Sequence, residues 1–163
     1  MTGFLRLAMA LACAVALSQF PAFSDQYVQR LGGQVDALGR IARDFDASAE
    51  RAGVTRAEAL ADLSGSAFRE LHQADMTRAF DRLDHAEADL AMLRLAGPLE
   101  RMLLPHRLRD PETLSATWGD FSPAIPVTFA GLAAGGIGFL LGWLLFGLLA
   151  LPFRRRDDRL GWR

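Results

Sequence analysis

Three side chains on one predicted helix have the spacing of a metal site. Asp81, His85 and Asp89 are four residues apart, which places them on one face of a helix. Carboxylates and imidazoles bind zinc and other divalent metals, so this triplet is the candidate centre of a metal-dependent enzyme. Relative to the apolar stripe of the same helix, however, the triplet drifts from the far side towards the flank. Arg78 and Arg82 lie close enough in sequence to pair with the carboxylates. The pattern therefore favours a solvated, salt-bridged helix face over a metal site.

The other residues that often carry chemistry show no catalytic arrangement. His72 and Met76 are four apart, but Met76 belongs to the apolar stripe, and His106 follows Pro105 in a predicted loop. Cys13 is the single cysteine, so the sequence has neither an intramolecular disulfide nor a thiolate metal cluster. No glycine-rich phosphate loop or nucleophile elbow occurs. We expect no enzymatic activity and no cofactor.

Two long amphipathic stretches form the middle of the chain. In each, apolar residues recur at alternating spacings of three and four, the 3.5-residue period of one helix laid along another. Because a compact turn region joins them, the sequence predicts an antiparallel helical hairpin that resembles a coiled coil. The large side chains of this stripe are Leu31, Val35, Leu38 and Phe45 in the first stretch and Met76, Leu83, Leu90 and Leu93 in the second, with alanines at 42, 49, 52, 79 and 86.

Local signals predict where these helices begin and end. Gly53 suits the C-cap of the first stretch. Thr55 and Glu58 form a capping-box pattern that opens a short helix to about Leu63, and Ser66 can cap the second stretch. Further on, the pair Gly97-Pro98 ends that stretch. The sequence DPE (110–112) has an N-cap residue followed by proline, which predicts a last short helix before the C-terminal apolar run.

The C-terminal apolar run, residues 127–151, is long enough to cross a bilayer. It contains 25 residues without a charged side chain, and about 20 are needed to cross roughly 30 Å of hydrocarbon. Four glycines recur on one face of it, while Ala8, Ala12 and Ala16 form a small-residue ridge near the N-terminus that would fit such a groove. Helix packing, within one chain or between two copies, and the general frequency of glycine in membrane helices both account for the pattern. The glycines are Gly131, Gly135, Gly138 and Gly142.

Residues 1–23 fit two interpretations. Arg6 precedes an apolar stretch of 11 residues, 7–17, which suits a secretory signal with a cleavage site at ALS (16–18). Alternatively, residues 4–23 form a 20-residue spanning helix in which Arg6 snorkels to the headgroups and Pro21 lies near the outer end.

Charge predicts orientation and excludes one class of partner. Residues 24–122 carry 12 arginines against 17 acidic residues, and this acidic balance argues against nucleic acid. Arg154, Arg155 and Arg156 follow the C-terminal run, and positive flanks stay in the cytoplasm. We therefore expect a cytoplasmic C-terminus and a periplasmic middle region in a bacterial inner membrane.

These elements predict an all-α protein with two transmembrane helices flanking an extracytoplasmic hairpin. The predicted parts are an N-terminal transmembrane helix or signal peptide (1–23), a periplasmic helical hairpin region (24–122), a C-terminal transmembrane helix (123–153) and a basic cytoplasmic tail (154–163).

Four sequence motifs carry a resemblance to a known family. They are ALSQFPAF (16–23), QYVQRLGG (26–33), DFD (44–46) and GFLLGW (138–143). Over nearly its whole length the chain resembles a family of uncharacterised bacterial inner-membrane proteins, classed as a domain of unknown function. The resemblance implies two membrane helices around a soluble helical region and favours a retained first helix that bends at FPAF (20–23). It implies no activity and no catalytic residues.

Three functional hypotheses follow. The first is a non-enzymatic envelope scaffold or interaction subunit, whose partners are the lipid bilayer and another membrane or periplasmic protein or a second copy of itself. The second is a small transmembrane signal transmitter, although a tail of about a dozen residues is too short for an output domain. The third is the metal-dependent enzyme built on Asp81, His85 and Asp89.

Overall fold

The computed structural model describes residues 2–123 and 125–149, which form helices joined by short loops and contain no strand. The chain divides into two compact units. The first comprises Met1–Asp25, Pro98–Leu103 and Asp120–Arg163, and the second comprises Gln26–Gly97 and Leu104–Gly119. Arg154, Arg155 and Arg156, with the rest of the predicted tail and the end of the predicted C-terminal span, lie outside the described residues. The all-α class is confirmed.

The N-terminal segment is two helices separated by one residue. Helix α1 (Thr2–Ser18) is followed by Gln19 and then by α2 (Phe20–Arg51). Pro21 has no N–H to donate to the carbonyl of Leu17, so the helical ladder is interrupted just before it, where proline is tolerated in the first turn of the next helix. The interruption at Gln19 lies just before residues 20–23, where the sequence predicts a bend.

The predicted turn chemistry after α2 is confirmed. Gly53 has φ of 76°, a left-handed conformation that ends the helix. The hydroxyl of Thr55 accepts a hydrogen bond from the N–H of Glu58, while the Glu58 carboxylate accepts one from the N–H of Thr55 at 2.7 Å. This capping box opens α3 (Arg56–Ala61).

The second long helix and the segment after it also follow the predicted signals. Ser66 caps α4 (Ala67–Leu95) by accepting a hydrogen bond from the N–H of Arg69. Two 3-10 turns, Glu100–Leu103 and Pro105–Arg107, lead to α5 (Pro111–Asp120). Asp110 begins α5, because its carboxylate accepts a hydrogen bond from the N–H of Thr113 at 2.8 Å.

The apolar core of the second unit joins side chains of α2 and α4. Ala42, Phe80 and Leu83 are buried, and the rings of Phe45 and Phe80 meet edge to face with centroids 5.3 Å apart. Of the predicted stripe, Leu31, Leu83, Leu90 and Leu93 are buried, whereas Val35, Leu38, Phe45 and Met76 are half-buried.

Phe80 was missing from the predicted stripe. The stripe placed Ala79 in the core, yet Ala79 is half-buried and its neighbour Phe80 is buried. A straight helix drifts by about 20° per heptad from a strict 3.5-residue repeat, so an adjacent larger side chain can take the core position. Ala52 follows the last residue of α2 and is exposed.

The first unit contains two stretches that are long and apolar enough to cross a membrane. One begins at Gly3 and includes α1; the other is α6 (Phe129–Leu149). Thr128 caps α6, because its hydroxyl accepts a hydrogen bond from the N–H of Gly131 at 3.1 Å.

Candidate functional site

Glycines of α6 meet the backbone of α1 within the first unit. A methyl group added to Gly138 would lie 2.5 Å from the carbonyl oxygen of Cys13. One added to Gly142 would lie 2.9 Å from the Cα atom of Ala10 and 3.1 Å from the sulfur of Cys13. At Gly135 the added methyl would lie 3.3 Å from the Cβ atom of Ser18. Only glycine lets the two helices approach this closely at 138 and 142, as in small-residue packing of membrane helices.

The ridge of α1 that meets these glycines is not the one predicted. Ala8, Ala12 and Ala16 are exposed, and the contacts are made instead by Ala10, Cys13 and Leu17. The reason lies in the rotation of α1 about its axis. Arg6 and Ala8 are about 200° apart on a helix, so turning Ala8 towards α6 would turn the Arg6 guanidinium away from the polar backbone atoms of α6.

Gly131, the fourth predicted glycine, has a different neighbour. A methyl group there would lie 2.7 Å from the Cβ atom of Pro126 and 3.2 Å from the hydroxyl of Thr128. Gly131 therefore leaves room for the segment that leads into α6, and not for α1.

The outer surfaces of α1 and α6 are apolar. The large exposed side chains include Phe4, Leu11 and Val15 of α1 and Leu132, Leu140 and Leu148 of α6. A helix pair that packs glycine against backbone inside and presents apolar side chains outside suits a hydrocarbon solvent, because a helix pairs its interior backbone N–H and C=O groups within itself.

One charged side chain lies against this pair. The Nε–H of Arg6 donates a hydrogen bond to the carbonyl oxygen of Trp143 at 2.6 Å. The guanidinium carbon lies 4.2 Å from the centroid of the Trp143 ring, a cation–π contact. A methyl group on Gly147 would collide with the same guanidinium. Trp143 and Gly147 thus form a fitted niche for Arg6.

In the second unit, Asp89 forms a buried ion-pair cluster rather than part of a solvated face. Asp89 is 3% exposed. Its two carboxylate oxygens accept hydrogen bonds from Nη1 of Arg107 at 3.0 Å and Nε of Arg109 at 2.8 Å. The expectation that Asp89 is solvated and pairs with Arg78 or Arg82 is therefore wrong. The arginines that pair with it follow α4 in the chain, beyond the reach of a helix-spacing argument.

The candidate metal triplet does not converge. His85 is exposed, and its Nδ1 lies 2.6 Å from the carbonyl oxygen of Asp81 on its own helix, while Asp89 faces the arginines. Within residues 2–123 and 125–149, no group of three or more histidine, cysteine, aspartate or glutamate side chains is arranged to hold a metal ion. His72 stacks on Phe68 with ring centroids 6.2 Å apart, and His106 is exposed.

A second polar cluster holds the start of α5 against α2 and α4. Arg82 binds both carboxylate oxygens of Asp110, at 2.8 and 2.9 Å, and also binds Glu112. The N–H of Asp110 donates to the hydroxyl of Tyr27 at 3.1 Å. The Tyr27 side chain is fully buried, and this burial raises the pKa of its hydroxyl. Such bidentate, charge-assisted contacts fix the geometry of the paired groups as well as adding stability.

The pairing of Asp110 gives the fold a pH dependence. Burial alone would raise the pKa of Asp110, but hydrogen bonds from Arg82 and Thr113 hold it below its ordinary value. The stabilisation of the fold by the Asp110 carboxylate is therefore complete above the pKa that this group has in the unfolded chain, near 4. The stabilisation is lost as the pH falls through the lower pKa that the group has in the folded chain. We expect the thermal midpoint of the purified protein to fall between pH 5 and 3.

A pair of variants isolates that contribution. Asp110→Asn should remove this part of the pH dependence and lower the free energy of unfolding by about 1–2 kcal/mol at neutral pH. Glu112→Gln is the matched control, because the Glu112 side chain is 70% exposed and surface ion pairs stabilise little. Equal pH profiles for the wild type and Asp110→Asn would contradict the assignment.

Comparison with known proteins places the chain in a family. A family model described as "Protein of unknown function (DUF2937)" matches residues 1–159. No curated protein and no solved structure matches the chain. The match covers nearly the whole chain, so it belongs to the DUF2937 family, and the resemblance to a family of unknown function is confirmed.

Proposed function

We propose that this DUF2937 protein is a non-enzymatic bacterial inner-membrane protein that serves as an envelope scaffold or interaction subunit. In this proposal α1 and α6 are paired transmembrane helices, and the helices between them lie in the periplasm. The observation that carries the anchor is the close contact of Gly138 and Gly142 with the backbone of α1, beneath an apolar outer surface.

The contact with α6 supports retention of α1 in the mature protein. Cleavage after Ser18 would remove Ala10, Cys13 and Leu17, the residues that fill the glycine surface of α6. We expect the intact mass of the protein purified from membranes to include residues 1–23. A mass lower by 18 to 24 residues would identify α1 as a signal peptide and contradict the paired anchor.

Two contacts support an antiparallel, coiled-coil-like arrangement of α2 and α4. The ring of Phe45 packs on that of Phe80, and a methyl group on Gly32 would lie 3.1 Å from Nη2 of Arg94. Residue numbers therefore increase along α2, from 32 to 45, while those of the contacting residues decrease along α4, from 94 to 80. This is the order expected of an antiparallel pair.

Exposed apolar side chains support a binding role for the second unit. Phe68 and Leu71, in the first turns of α4, are 78% and 66% exposed. Large apolar side chains that adjoin one another on an exposed surface mark protein-binding sites. We propose that the partner is another membrane or periplasmic protein or a second copy of the chain, and that the acidic middle region excludes nucleic acid.

Capture from cross-linked membranes tests the binding role. The full chain should recover a stoichiometric partner, and Phe68→Ser with Leu71→Ser should lose it. Arg69→Ser, in the same exposed helical turn, is the control and should retain the partner. Recovery of the chain alone in defined oligomers would support a homo-oligomeric scaffold. A monodisperse monomer with no partner would contradict a scaffold or interaction subunit.

A second candidate function is transmission of a signal across the membrane. It is favoured by the near-continuity of α1 and α2, which are separated only by Gln19. A displacement of α1 in the membrane would then be transmitted along α2 to its apolar stripe. A cytoplasmic partner would detect the change by binding Arg154, Arg155 and Arg156. Reversal of these three charges should abolish a response while reporter fusions show unchanged topology. A chain that keeps its response would exclude this function.

A further inference from the structure

We propose that Arg6 binds the phosphate of an anionic phospholipid in the cytoplasmic leaflet, within a niche formed by Trp143 and Gly147. This inference rests on the proposed membrane location of α1 and α6. It assigns a ligand class to the Arg6 guanidinium, whose contacts within the helix pair are to neutral groups.

The niche positions the guanidinium without neutralising it. Nε of Arg6 donates to the Trp143 carbonyl at 2.6 Å, and the Trp143 ring covers one face at 4.2 Å. Both partners are formally neutral. Within the described part of the chain, no carboxylate forms an ion pair with Arg6. A charge beside an apolar helix pair is costly unless an anion compensates it.

The geometry leaves a phosphate-binding edge. A guanidinium has five N–H donors in a planar fork, and the Trp143 carbonyl takes one of them, on Nε. Stacking on an aromatic ring occupies a face of the group and not its edge. The remaining Nη donors therefore retain the bidentate geometry that suits two phosphate oxygens.

Gly147 makes this position possible. A side chain there would occupy the space of the Arg6 guanidinium, so glycine allows the charge to lie against α6 rather than extend freely. Trp143 and Gly147 lie in the C-terminal half of α6, the half nearest the predicted cytoplasmic face. A long arginine side chain that lies along apolar surface can carry its guanidinium towards the lipid headgroups.

Anionic lipids are favoured over zwitterionic ones by charge. In phosphatidylcholine the choline cation competes with Arg6 for the same phosphate, whereas phosphatidylglycerol has no internal cation. One arginine near an anionic leaflet strengthens the binding of a protein to anionic lipids by a factor of about five to ten.

Native mass spectrometry of the full chain tests the site. The protein is purified in detergent, and its retention of phosphatidylglycerol is compared with retention of phosphatidylcholine with the same acyl chains. We expect preferential retention of phosphatidylglycerol, a five- to tenfold weaker apparent affinity in Arg6→Gln, and an intermediate affinity in Arg6→Lys. Arg40→Gln, at an exposed arginine of α2, should behave as the wild type.

A second variant separates a fitted niche from general charge. Gly147→Ala keeps Arg6 but fills its space, and it should weaken phosphatidylglycerol retention as Arg6→Gln does. Gly136→Ala, at a position where an added methyl meets nothing within 4 Å, is its control. Circular dichroism of each variant verifies that the helices are retained.

Three results would overturn the proposal. The first is equal phosphatidylglycerol retention by the wild type and Arg6→Gln, and the second is an equal loss in Arg40→Gln. The third is displacement of the lipid by inorganic phosphate, which would assign the site to a soluble ion. These results differ from failure of the membrane anchor itself, which would appear as soluble protein after gentle lysis.

Discussion

Replacing Gly138 with leucine is expected to separate α1 from α6. The first added carbon alone would lie 2.5 Å from the carbonyl oxygen of Cys13 and 2.9 Å from Cβ of Leu17. The Cys13 carbonyl is backbone and cannot rotate away, so the helices must move apart. Overpacking of this kind costs about 1–3 kcal/mol, and leucine adds three further carbons, so we expect a loss of about 3 kcal/mol or more.

The measurement is the free energy of unfolding in mixed micelles, followed by circular dichroism and tryptophan fluorescence. Gly136→Leu is the matched control, since position 136 lies on the same helix and an added methyl there meets nothing within 4 Å. It should leave the free energy of unfolding unchanged or slightly higher, because leucine favours helix more than glycine does. Equal effects of the two substitutions would contradict the α1–α6 contact.

Replacing Asp89 with alanine is expected to destabilise the second unit by about 2 kcal/mol. The Asp89 side chain is 4% exposed, and its removal leaves two guanidinium groups without their carboxylate. Breaking a buried ion pair costs about 3–5 kcal/mol. We place the value lower because Arg107 and Arg109 are 31% and 52% exposed and water partly replaces the lost partner.

Hydrogen exchange of residues 104–110 reports this change directly. In Asp89→Ala these amides should exchange faster, because the segment loses its attachment to α4. Asp81→Ala, an exposed aspartate two helical turns earlier, should change stability by less than about 0.5 kcal/mol. Unchanged protection in Asp89→Ala would show that the two arginine contacts do not hold the segment.

Local signals predicted the helices well. Gly53, Thr55, Ser66 and Asp110 each act through a hydrogen bond or a backbone conformation confined to a few residues. Such signals are complete in the sequence, so the helix ends they specify are found where they were predicted.

The rotation of a helix about its axis was harder to predict. The glycines of α6 are visible in the sequence, but the residues of α1 that face them depend on where Arg6 finds a polar partner. A small-residue ridge therefore indicated Ala8, Ala12 and Ala16, while the structure uses Ala10, Cys13 and Leu17.

The ion-pair clusters of the second unit had no usable sequence signal. Asp89 pairs with residues 18 and 20 positions later, and Arg82 pairs with Asp110, 28 positions later. Helix spacing predicts partners three or four residues apart, so it assigned these carboxylates and arginines to one another locally.

The most direct test of the proposed membrane topology is the side of the membrane on which the segment between α3 and α4 lies. Cys13→Ala gives a cysteine-free chain, into which Ser64→Cys or a cysteine after Arg163 is introduced. The two chains are treated with a membrane-impermeant maleimide in cells whose outer membrane has been made permeable. We expect Ser64→Cys to be labelled while the inner membrane is still sealed, and the C-terminal cysteine to be labelled only after the inner membrane is broken. Labelling in the opposite order, or release of the chain into the soluble fraction, would contradict the account.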